Sequence, residues 1–328
     1  MAALLRAAHA ATFAARTAVV IGATSGIGEG LCAAPPTFSG RTAVVVGATS
    51  GIGEGCALRL AEAGFKVVAV GRDATRGAAV VEAMAKRGGG GHEFVGCDSF
   101  SLGDVKGCAE KLREAHPKVD VLVLTQGMAT IQGFTPTAEG NDEKLTLHYW
   151  SRMAWATQML PSLRLGTETR VVSVLSAGVH SPYAHYREDP ELREGYSIKN
   201  AADIAGFYND LGLDALARQP LNADIAFVHA CPGFVNTNWG TEMPWYVRFA
   251  VRLLQPLGRS AATCAEAMLH PVFKTTADLR EEFGDGVVLM GKDAAPVAKT
   301  RMHTPENVEH VWSVTKAVLK RAGLTTLT

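Results

Sequence analysis

The sequence has no closely spaced cysteine pair, no excess of charge of either sign and no long apolar run. Its six cysteines, at positions 32, 56, 97, 108, 231 and 264, include no CxxC pair and no spacing typical of metal ligands. We therefore expect reduced thiols and no metal site. Lysine plus arginine equals aspartate plus glutamate at 32 residues each, so nothing suggests a nucleic-acid partner. No apolar run reaches the length of a membrane span, so no integral membrane segment is expected.

The first sixteen residues, MAALLRAAHAATFAAR, form an alanine-rich leader without acidic residues. Arg6 and Arg16 give it a weak similarity to a mitochondrial presequence, but serine is scarce and only these two arginines are present. A disordered or frayed helical leader is therefore the favoured interpretation. The expected compartment is the cytoplasm, with the mitochondrion as the alternative.

One short segment occurs twice near the N-terminus. Residues 16–30 read RTAVVIGATSGIGEG and residues 41–55 read RTAVVVGATSGIGEG, so the copies differ only at Ile21 and Val46. Each is a β-branched apolar strand that runs into a glycine-rich turn, which is the sequence form of a dinucleotide-binding βα unit. A sheet of this kind needs one such loop per cofactor, so the second copy predicts a nucleotide site and the first needs an explanation.

The residues that follow each copy distinguish the two. After the second copy, CALRLAEAGFKVVAVGRD has a helical apolar face, a stop at Gly64 and a further strand, which completes a βαβ start. After the first copy, Pro35 and Pro36 would each cost a helix interior about 3 kcal/mol. A bound phosphate needs the free amides of a helix N-terminus. We therefore predict that residues 1–38 lie outside the catalytic fold and that residues 39–328 form the domain; a second nucleotide site is the disfavoured alternative.

Seven near-continuous apolar runs alternate with helical patterns along the rest of the chain. They lie at residues 44–47, 67–70, 93–98, 119–124, 170–176, 223–230 and 286–291. Runs of this kind are typical of strands that are buried on both faces, as in a parallel sheet. The order predicts an α/β fold with a doubly wound parallel sheet in a single domain, with cofactor and substrate at the carboxyl ends of the strands.

Several motifs resemble those of the short-chain dehydrogenase/reductase family. The loop VVVGATSGIG carries the spacing Gly47-x-x-x-Gly51-x-Gly53, which is much more specific than an isolated glycine triplet. Similar segments follow in the family's order: DVLVLTQG at 120–127, VVSVLSAG at 171–178, YSIK at 196–199 and PGFVNT at 232–237. The segment ENVEHVWSVTKAVL resembles the retinol-dehydrogenase-like branch. The resemblance implies a Rossmann fold and hydride transfer between a nicotinamide cofactor and a carbonyl or alcohol.

The resemblance also implies which residues hold the cofactor. They are Gly47, Ser50, Gly51, Ile52, Gly53, Arg72, Asp98, Gly127, Lys199, Pro232, Gly233, Val235 and Thr237. Arg72 follows the second strand, where a guanidinium suits the 2′-phosphate of NADP and an acid would suit the free hydroxyl of NAD. Asp73 stands beside it and can take the ribose hydroxyls. NADP is therefore the predicted cofactor and NAD the alternative.

The catalytic residues implied by the resemblance are Ser176, Tyr196, Lys199 and His148. Ser176 would hold the substrate oxygen and Tyr196 would exchange the proton with it. A free phenol has a pKa of about 10, so a nearby ammonium is needed to lower it. Tyr183 and Tyr186 are rivals for this role, because they lie closer to Ser176 in the sequence.

Three departures from the family's pattern affect the proton-transfer residues. The family has a lysine four residues after the tyrosine; this chain has Asn200 there and Lys199 at i+3. Both positions share the tyrosine's face on a helix, so Lys199 is predicted to reach the phenol and the nicotinamide ribose. His148 replaces an asparagine that anchors a water in the family, and Leu124-Thr125-Gln126 replaces an asparagine-rich segment.

Two functions of different classes are compatible with these motifs. The favoured one is an NADP-dependent oxidoreductase for a lipophilic small-molecule carbonyl or alcohol. The alternative is a catalytically weakened nucleotide-binding protein that acts as a sensor or scaffold. Both functions are compatible with a homo-oligomer, which is a possible assembly of this chain.

A lid over the substrate is predicted from NWGTEMPWYVRFAVRLLQPLGR at 238–259. In this interpretation Trp245 and Phe249 form an apolar roof over the nicotinamide. A helix packed on the core and a helix lying on a membrane surface, with Arg248 and Arg252 at the headgroups, are the alternatives.

Overall fold

The structure is a computed structural model that describes residues 38–237, 245, 249, 252 and 255–325. Its strands are β1 (Thr42–Val46), β2 (Lys66–Gly71), β3 (Glu93–Gly96), β4 (Val121–Leu124), β5 (Thr169–Val174), β6 (Ile225–Ala230), β7 (Val235–Asn236), β8 (Arg259–Ser260) and β9 (Val288–Met290). Within the described residues, the short strands β7 and β8 form a separate two-stranded sheet. The other seven strands form one sheet.

The helices are α1 (Gly51–Glu62), α2 (Ala74–Ala85), α3 (Leu102–Ala115), α4 (Glu143–Leu145), α5 (Ser151–Leu163), α6 (Ile198–Ala217), α7 (Ala261–Met268), α8 (Thr276–Phe283) and α9 (Pro305–Arg321). A π-helical segment, Thr146–Trp150, joins α4 to α5. Short 3₁₀ turns occupy Pro220–Asn222, Gln255–Leu257 and His270–Phe273.

The central sheet confirms the predicted fold class. Its strand order is β3-β2-β1-β4-β5-β6-β9, and every neighbouring pair is parallel. All seven apolar runs of the sequence correspond to its seven strands. The order reverses between β1 and β4, which is the switch point where doubly wound folds bind their ligands.

Both faces of the sheet are covered by helices. Alternate residues of a strand point to opposite faces, and in β1 the side chains of Ala43 and Val45 pack with α1, α2 and α7. Val44 and Val46 pack on the other face with α3, α5, α6 and α9. This double burial is why the strands read as continuous apolar runs rather than as alternating patterns.

Some predicted features lie outside the described residues. They include the leader with the first loop copy, apart from Phe38, and most of the lid. The Phe38 ring stacks on Phe65 with centroids 4.9 Å apart. Of the lid, Trp245 and Phe249 are described with 73% and 62% of their surface exposed, so these two side chains are not core residues. The described part of the chain contains no helix that combines the length and the hydropathy of a membrane span.

Candidate active site

A cavity of about 740 Å³ opens where the carboxyl ends of the central strands meet. It is lined by His148 and by most of the predicted cofactor residues, namely Gly47, Ser50, Gly51, Ile52, Gly53, Arg72, Gly127, Pro232, Gly233, Val235 and Thr237. Among the described lining residues, Asp98, Lys199, Ser176 and Tyr196 do not appear. The nucleotide-binding part of the predicted site is thus gathered in one place, while Ser176, Tyr196 and Lys199 are not among the described residues of this wall.

The loop between β1 and α1 fits a dinucleotide phosphate. Gly47 and Gly51 have φ angles of 83° and 60°, a region that favours glycine. A Cβ on Gly53 would overlap the Gly47 carbonyl oxygen, so α1 can approach β1 this closely only with glycine there. Ser50 forms no side-chain cap on α1. The first amides of the helix therefore face the cavity with the positive end of the helix dipole, which suits an anion.

Two arginines stand at the end of the cavity beyond β2. Arg72 and Arg76 are both exposed and line the cavity, and the Arg72 guanidinium lies 4.8 Å from the centroid of the Phe100 ring. Asp73 accepts the backbone N–H of Arg76 at 3.0 Å and its Nε at 2.7 Å. These hydrogen bonds lower the pKa of the Asp73 carboxyl. Because Asp73 is committed to Arg76 and to the cap of α2, the net charge offered here is positive.

Asp98 faces its own turn rather than the cavity. Its Oδ1 accepts the backbone N–H of Phe100 at 3.1 Å, while the neighbouring residues Cys97 and Ser99 line the cavity. Successive side chains of an extended segment point to opposite sides. The sequence singled out the acid by motif and therefore missed the two residues beside it.

His148 shapes the opposite end of the cavity as a neutral side chain. Its Nε2 accepts the backbone N–H of Met128 at 3.0 Å, which fixes the loop after β4. Burial lowers the pKa of His148 to about 3, and the nearby Arg152 and Lys144 charges act in the same direction. His148 therefore positions this loop and does not exchange protons near neutral pH.

Arg152 is a buried cation that the sequence did not reveal. It is 1% exposed and lines the cavity four residues after His148. Its Nη1 donates to the Ser173 hydroxyl at 2.8 Å and to the Val174 carbonyl at 2.9 Å, and its Nη2 donates to the Gln126 carbonyl at 2.6 Å. Burial lowers the pKa of Arg152 to about 9, so it keeps its charge at neutral pH. It joins the ends of β4 and β5 and gives the wall a positive charge.

Asn209 of α6 connects this arginine to His148. Its Nδ2 donates to the His148 carbonyl at 2.8 Å, and its Oδ1 accepts the Ser173 hydroxyl at 2.9 Å. Since Ser173 accepts from Arg152, an unbroken series of hydrogen bonds connects the Arg152 guanidinium to the backbone of His148. These hydrogen bonds hold Arg152, Ser173 and Asn209 in place behind the wall.

Ser176 is held by a buried histidine–aspartate pair. Its backbone N–H donates to Nε2 of His229 at 3.1 Å, and Nδ1 of that imidazole donates to Asp210 at 2.6 Å. Asp210 also accepts the backbone N–H of Gly178, at 3.2 Å from one of its oxygens. His229 and Asp210 thus position the turn that carries the serine hydroxyl.

Lys199 belongs to a second histidine–aspartate group beside Ser176. His180 Nδ1 bonds Asp203 at 2.9 Å, and the same carboxylate pairs with the Lys199 ammonium. Gly206 of α6 makes room for this group, since a Cβ there would lie 2.7 Å from Ser176 Oγ and would overlap the His180 ring. Lys199 is 82% exposed and is directed to Asp203 rather than to the cavity.

Tyr196 pairs with Lys144 and not with the predicted Lys199. It precedes Ser197, whose hydroxyl caps α6, so Tyr196 is not on the helix and the i+3 spacing brings no lysine to it. Lys144 Nζ donates to the phenol oxygen at 2.9 Å. Burial, together with the Asp142 carboxylate, raises the pKa of Tyr196, and burial lowers the pKa of Lys144. The phenol therefore stays protonated at neutral pH, whereas the sequence had led us to expect a lowered pKa.

The two rival tyrosines use their hydroxyls elsewhere. The Tyr183 hydroxyl donates to the Asp189 carbonyl at 2.9 Å, and the Tyr186 hydroxyl donates to Asn307 at 2.6 Å. Neither residue is among the described residues that line the cavity. The first hydrogen bond lies within the segment between β5 and α6, and the second joins this segment to α9.

The family model described as short chain dehydrogenase matches residues 41–244, more than half of the chain. The chain therefore belongs to the short chain dehydrogenase family. This confirms the predicted family.

The chain is similar in sequence to several curated proteins, over a part or most of its length. A protein of Streptomyces sp. (strain C5) that carries the name daunorubicin C-13 ketoreductase DnrU is 30% identical over 261 residues, 77% of each chain. A 3beta-hydroxysteroid dehydrogenase of Mediterraneibacter gnavus is 45% identical over 152 residues, 46% of this chain and 45% of that protein. Two fungal oxidoreductases are matched over 44% of their own length, so the chain spans less than half of several curated relatives.

A solved structure supports the fold. A short chain dehydrogenase from Burkholderia cenocepacia J2315 in complex with NADP superposes with a TM-score of 0.57 at 22% identity. The match covers 79% of this chain and 98% of that one. At this identity the likeness concerns the fold alone.

Proposed function

We propose that the chain is an NADPH-dependent reductase of lipophilic ketones or aldehydes, with alcohol oxidation as the reverse reaction. The observation that carries the proposal is the single cavity at the strand ends. It joins the glycine-rich loop and the arginines beyond β2 to the loop that His148 positions. A dinucleotide and a small substrate need one continuous site of this kind.

The preference for NADPH rests on the charge beyond β2. Arg72 is exposed at the cavity, and Asp73 is engaged by Arg76. A guanidinium binds a phosphate with charge-assisted and often bidentate hydrogen bonds. An acidic carboxylate that is already committed to Arg76 is a poorer partner for the free ribose hydroxyls of NAD.

The proton donor in this proposal is Tyr196. The cofactor's own chemistry would be hydride exchange with the substrate carbon. Because the raised pKa keeps the phenol protonated, Tyr196 is suited to donate to a carbonyl oxygen rather than to accept from an alcohol. Lys144 orients the hydroxyl, Ser176 would hold the substrate oxygen, and Lys199 would act only through Asp203.

The lipophilic substrate class is supported by the apolar side chains around the cavity. Met128, Leu147, Leu175 and Phe234 all line it. The names of two similar proteins refer to a hydroxysteroid and to a ketone of daunorubicin. Apolar walls with a few polar groups are typical of sites for such ligands.

NADPH consumption with a panel of ketones tests the proposal. Bulky aromatic ketones should be reduced with a higher kcat/KM than short aliphatic ones, and NADPH should bind more tightly than NADH. Tyr196→Phe should reduce turnover by about 100-fold or more while cofactor binding stays unchanged. His180→Gln is the comparison variant, because the His180 ring and Ser176 Oγ both lie next to Gly206. A silent Tyr196→Phe with an inactive His180→Gln would assign the proton to the histidine instead.

The alternative function, a nucleotide-binding sensor or scaffold, is favoured by one observation. Lys199 is engaged by Asp203, and the Asn200 side chain donates to the Gly195 carbonyl at 2.8 Å. Neither residue of the altered motif therefore faces the cavity. NADPH binding at micromolar concentration without NADPH consumption on any carbonyl of the panel would support this alternative.

A further inference from the structure

Two thiols meet at the wall of the cavity beyond β3. Cys97 directly follows β3, is 6% exposed and lines the cavity. Cys108 lies on the second turn of α3, and its thiol donates to the Gly96 carbonyl at 3.4 Å. Cys97 is the residue after Gly96, and Cys108 packs against the apolar cluster that contains Cys97. Two cysteines placed in this way can form a disulfide when their side chains turn toward each other.

The two thiols differ in reactivity. The neighbouring Cys97 thiol lowers the pKa of Cys108, and the Lys111 charge acts in the same direction. The Cys108 thiol, together with burial, raises the pKa of Cys97. The thiolate is the form that oxidants attack, so Cys108 reacts first and Cys97 is placed to react with the product. Cys56 and Cys264 are fully buried, and burial raises their pKa values, so they are inert by comparison.

We propose that Cys97 and Cys108 form a reversible disulfide that changes the wall of the cofactor cavity under oxidising conditions. With hydrogen peroxide as the oxidant, the Cys108 thiolate attacks one peroxide oxygen, and protonation yields a sulfenic acid and one water. The Cys97 thiol then attacks the sulfenic sulfur, the S–S bond forms and a second water leaves. Two thiols are thus oxidised by two electrons, and a dithiol returns both electrons and both protons.

The bond changes the wall that the cofactor would touch. A disulfide places its sulfur atoms about 2.05 Å apart, much closer than two thiols that are not bonded. The Cys97 side chain must therefore turn toward α3, which changes the cavity wall that Cys97 shares with Ser99. The Gly96 carbonyl at the same time loses the Cys108 thiol as a donor. This inference rests on the proposed function, since it assumes that the cavity holds NADP(H).

Trypsin offers a direct measurement of the bond. Cleavage after Arg87, Lys106 and Lys111 would place Cys97 in peptide 88–106 and Cys108 in peptide 107–111. The full chain is treated with hydrogen peroxide, free thiols are blocked with iodoacetamide, and the digest is analysed by mass spectrometry. We expect the two peptides to appear joined and lighter by two hydrogens. The Kd for NADPH should rise about tenfold or more and return on adding dithiothreitol.

Matched cysteine variants separate this bond from general oxidation. Cys108→Ser should show no joined peptide and should keep its NADPH affinity after peroxide. Cys231→Ser, which removes another half-buried thiol near the cavity, should behave like the unmodified chain. The proposal is overturned if the unmodified chain yields no joined peptide, or if the joined form binds NADPH as tightly as the reduced form. Failure of the reduced chain to bind NADPH would instead reject the proposed function and with it the effect of the disulfide on cofactor binding, while the peptide map still reports the bond.

Discussion

The two ends of the cavity are built from different material. At the end next to α1, backbone groups form the site: three glycines, a helix N-terminus and few side chains. At the end next to α5, side chains form it, through a network that runs from Arg152 to the backbone of His148. A backbone site depends on a few consecutive residues. A side-chain site depends on contacts between distant segments, so a change at one position can be offset at another.

The largest effect should come from the lysine at the side-chain end. Lys144→Met removes the donor at 2.9 Å from the Tyr196 phenol, so we expect kcat to fall by about 100-fold. Lys199→Ala removes only an exposed partner of Asp203, and kcat should stay within about twofold. Steady-state kinetics at saturating NADPH measure both. A larger loss of kcat in Lys199→Ala than in Lys144→Met would instead support the pairing of Tyr196 with Lys199 that the sequence predicts.

The next largest effect tests the backbone end. Gly53→Ala puts a Cβ onto the Gly47 carbonyl oxygen, which should displace the loop and raise the Kd for NADPH by about tenfold to a hundredfold. Gly107→Ala on α3 is the matched control, because nothing lies within 4 Å of its Cβ position. Fluorescence titration with NADPH compares the two. Equal affinities would mean that the loop does not hold the cofactor.

A smaller change should follow at the arginines. Arg72→Ala removes the exposed guanidinium beyond β2, and we expect the preference for NADPH over NADH to fall by about tenfold. Arg76→Ala also releases Asp73 from its partner, so NADH binding should improve in that variant. The ratio of the two Kd values is the readout. An unchanged ratio in both variants would assign the 2′-phosphate to another part of the cavity.

The pH dependence should be slight near neutrality. The raised pKa of Tyr196 means that the phenol is protonated below that value and loses its proton only above the ordinary value of about 10. Carbonyl reduction needs the protonated form, so its rate should vary by less than about twofold from pH 7 to pH 9. Alcohol oxidation needs the phenolate, so its rate should rise over the same range. A reduction rate that falls with an apparent pKa near 6.5 would indicate a histidine donor.

The smallest effect concerns the domain boundary predicted at residue 38. Phe38 stacks on Phe65, and its ring centroid lies 5.6 Å from that of Phe273. A chain that starts at Phe38 should match the full chain in thermal stability and NADPH binding. A chain that starts at Ser39 should lose about 1 kcal/mol of stability from the missing aromatic pair. Loss of folding in both would show that the leader is part of the domain.

These contrasts explain what could be read from the sequence. The seven strands were predictable because a strand that is buried on both faces needs apolar residues at successive positions, which gives a continuous apolar run. The loop at Gly47 to Gly53 was predictable because each glycine answers a local need: a positive φ or a close approach between α1 and β1. Both signals lie within a few consecutive residues.

The proton-transfer residues could not be read in the same way. The partner of Tyr196 is 52 residues away at Lys144, and Asn209 and Arg152 meet only through Ser173. The expected pairing of Tyr196 with Lys199 assumed that both lie on one helix, but α6 begins after Ser197. A spacing rule applies only inside the element, and the N-cap position decides where the element starts.

The π-helical segment between α4 and α5 is the mark of one extra residue in a helix. A π turn absorbs a single inserted residue as a local bulge, so the helices on either side keep their own directions. Deleting one residue from Thr146–Trp150 would turn all of α5 by about 100° relative to α4. Arg152 would then leave the wall of the cavity while Lys144 stayed beside Tyr196. The segment thus fixes the rotation of Arg152 about the helix axis relative to Lys144. A change in chain length there would alter the site without replacing any of its functional side chains.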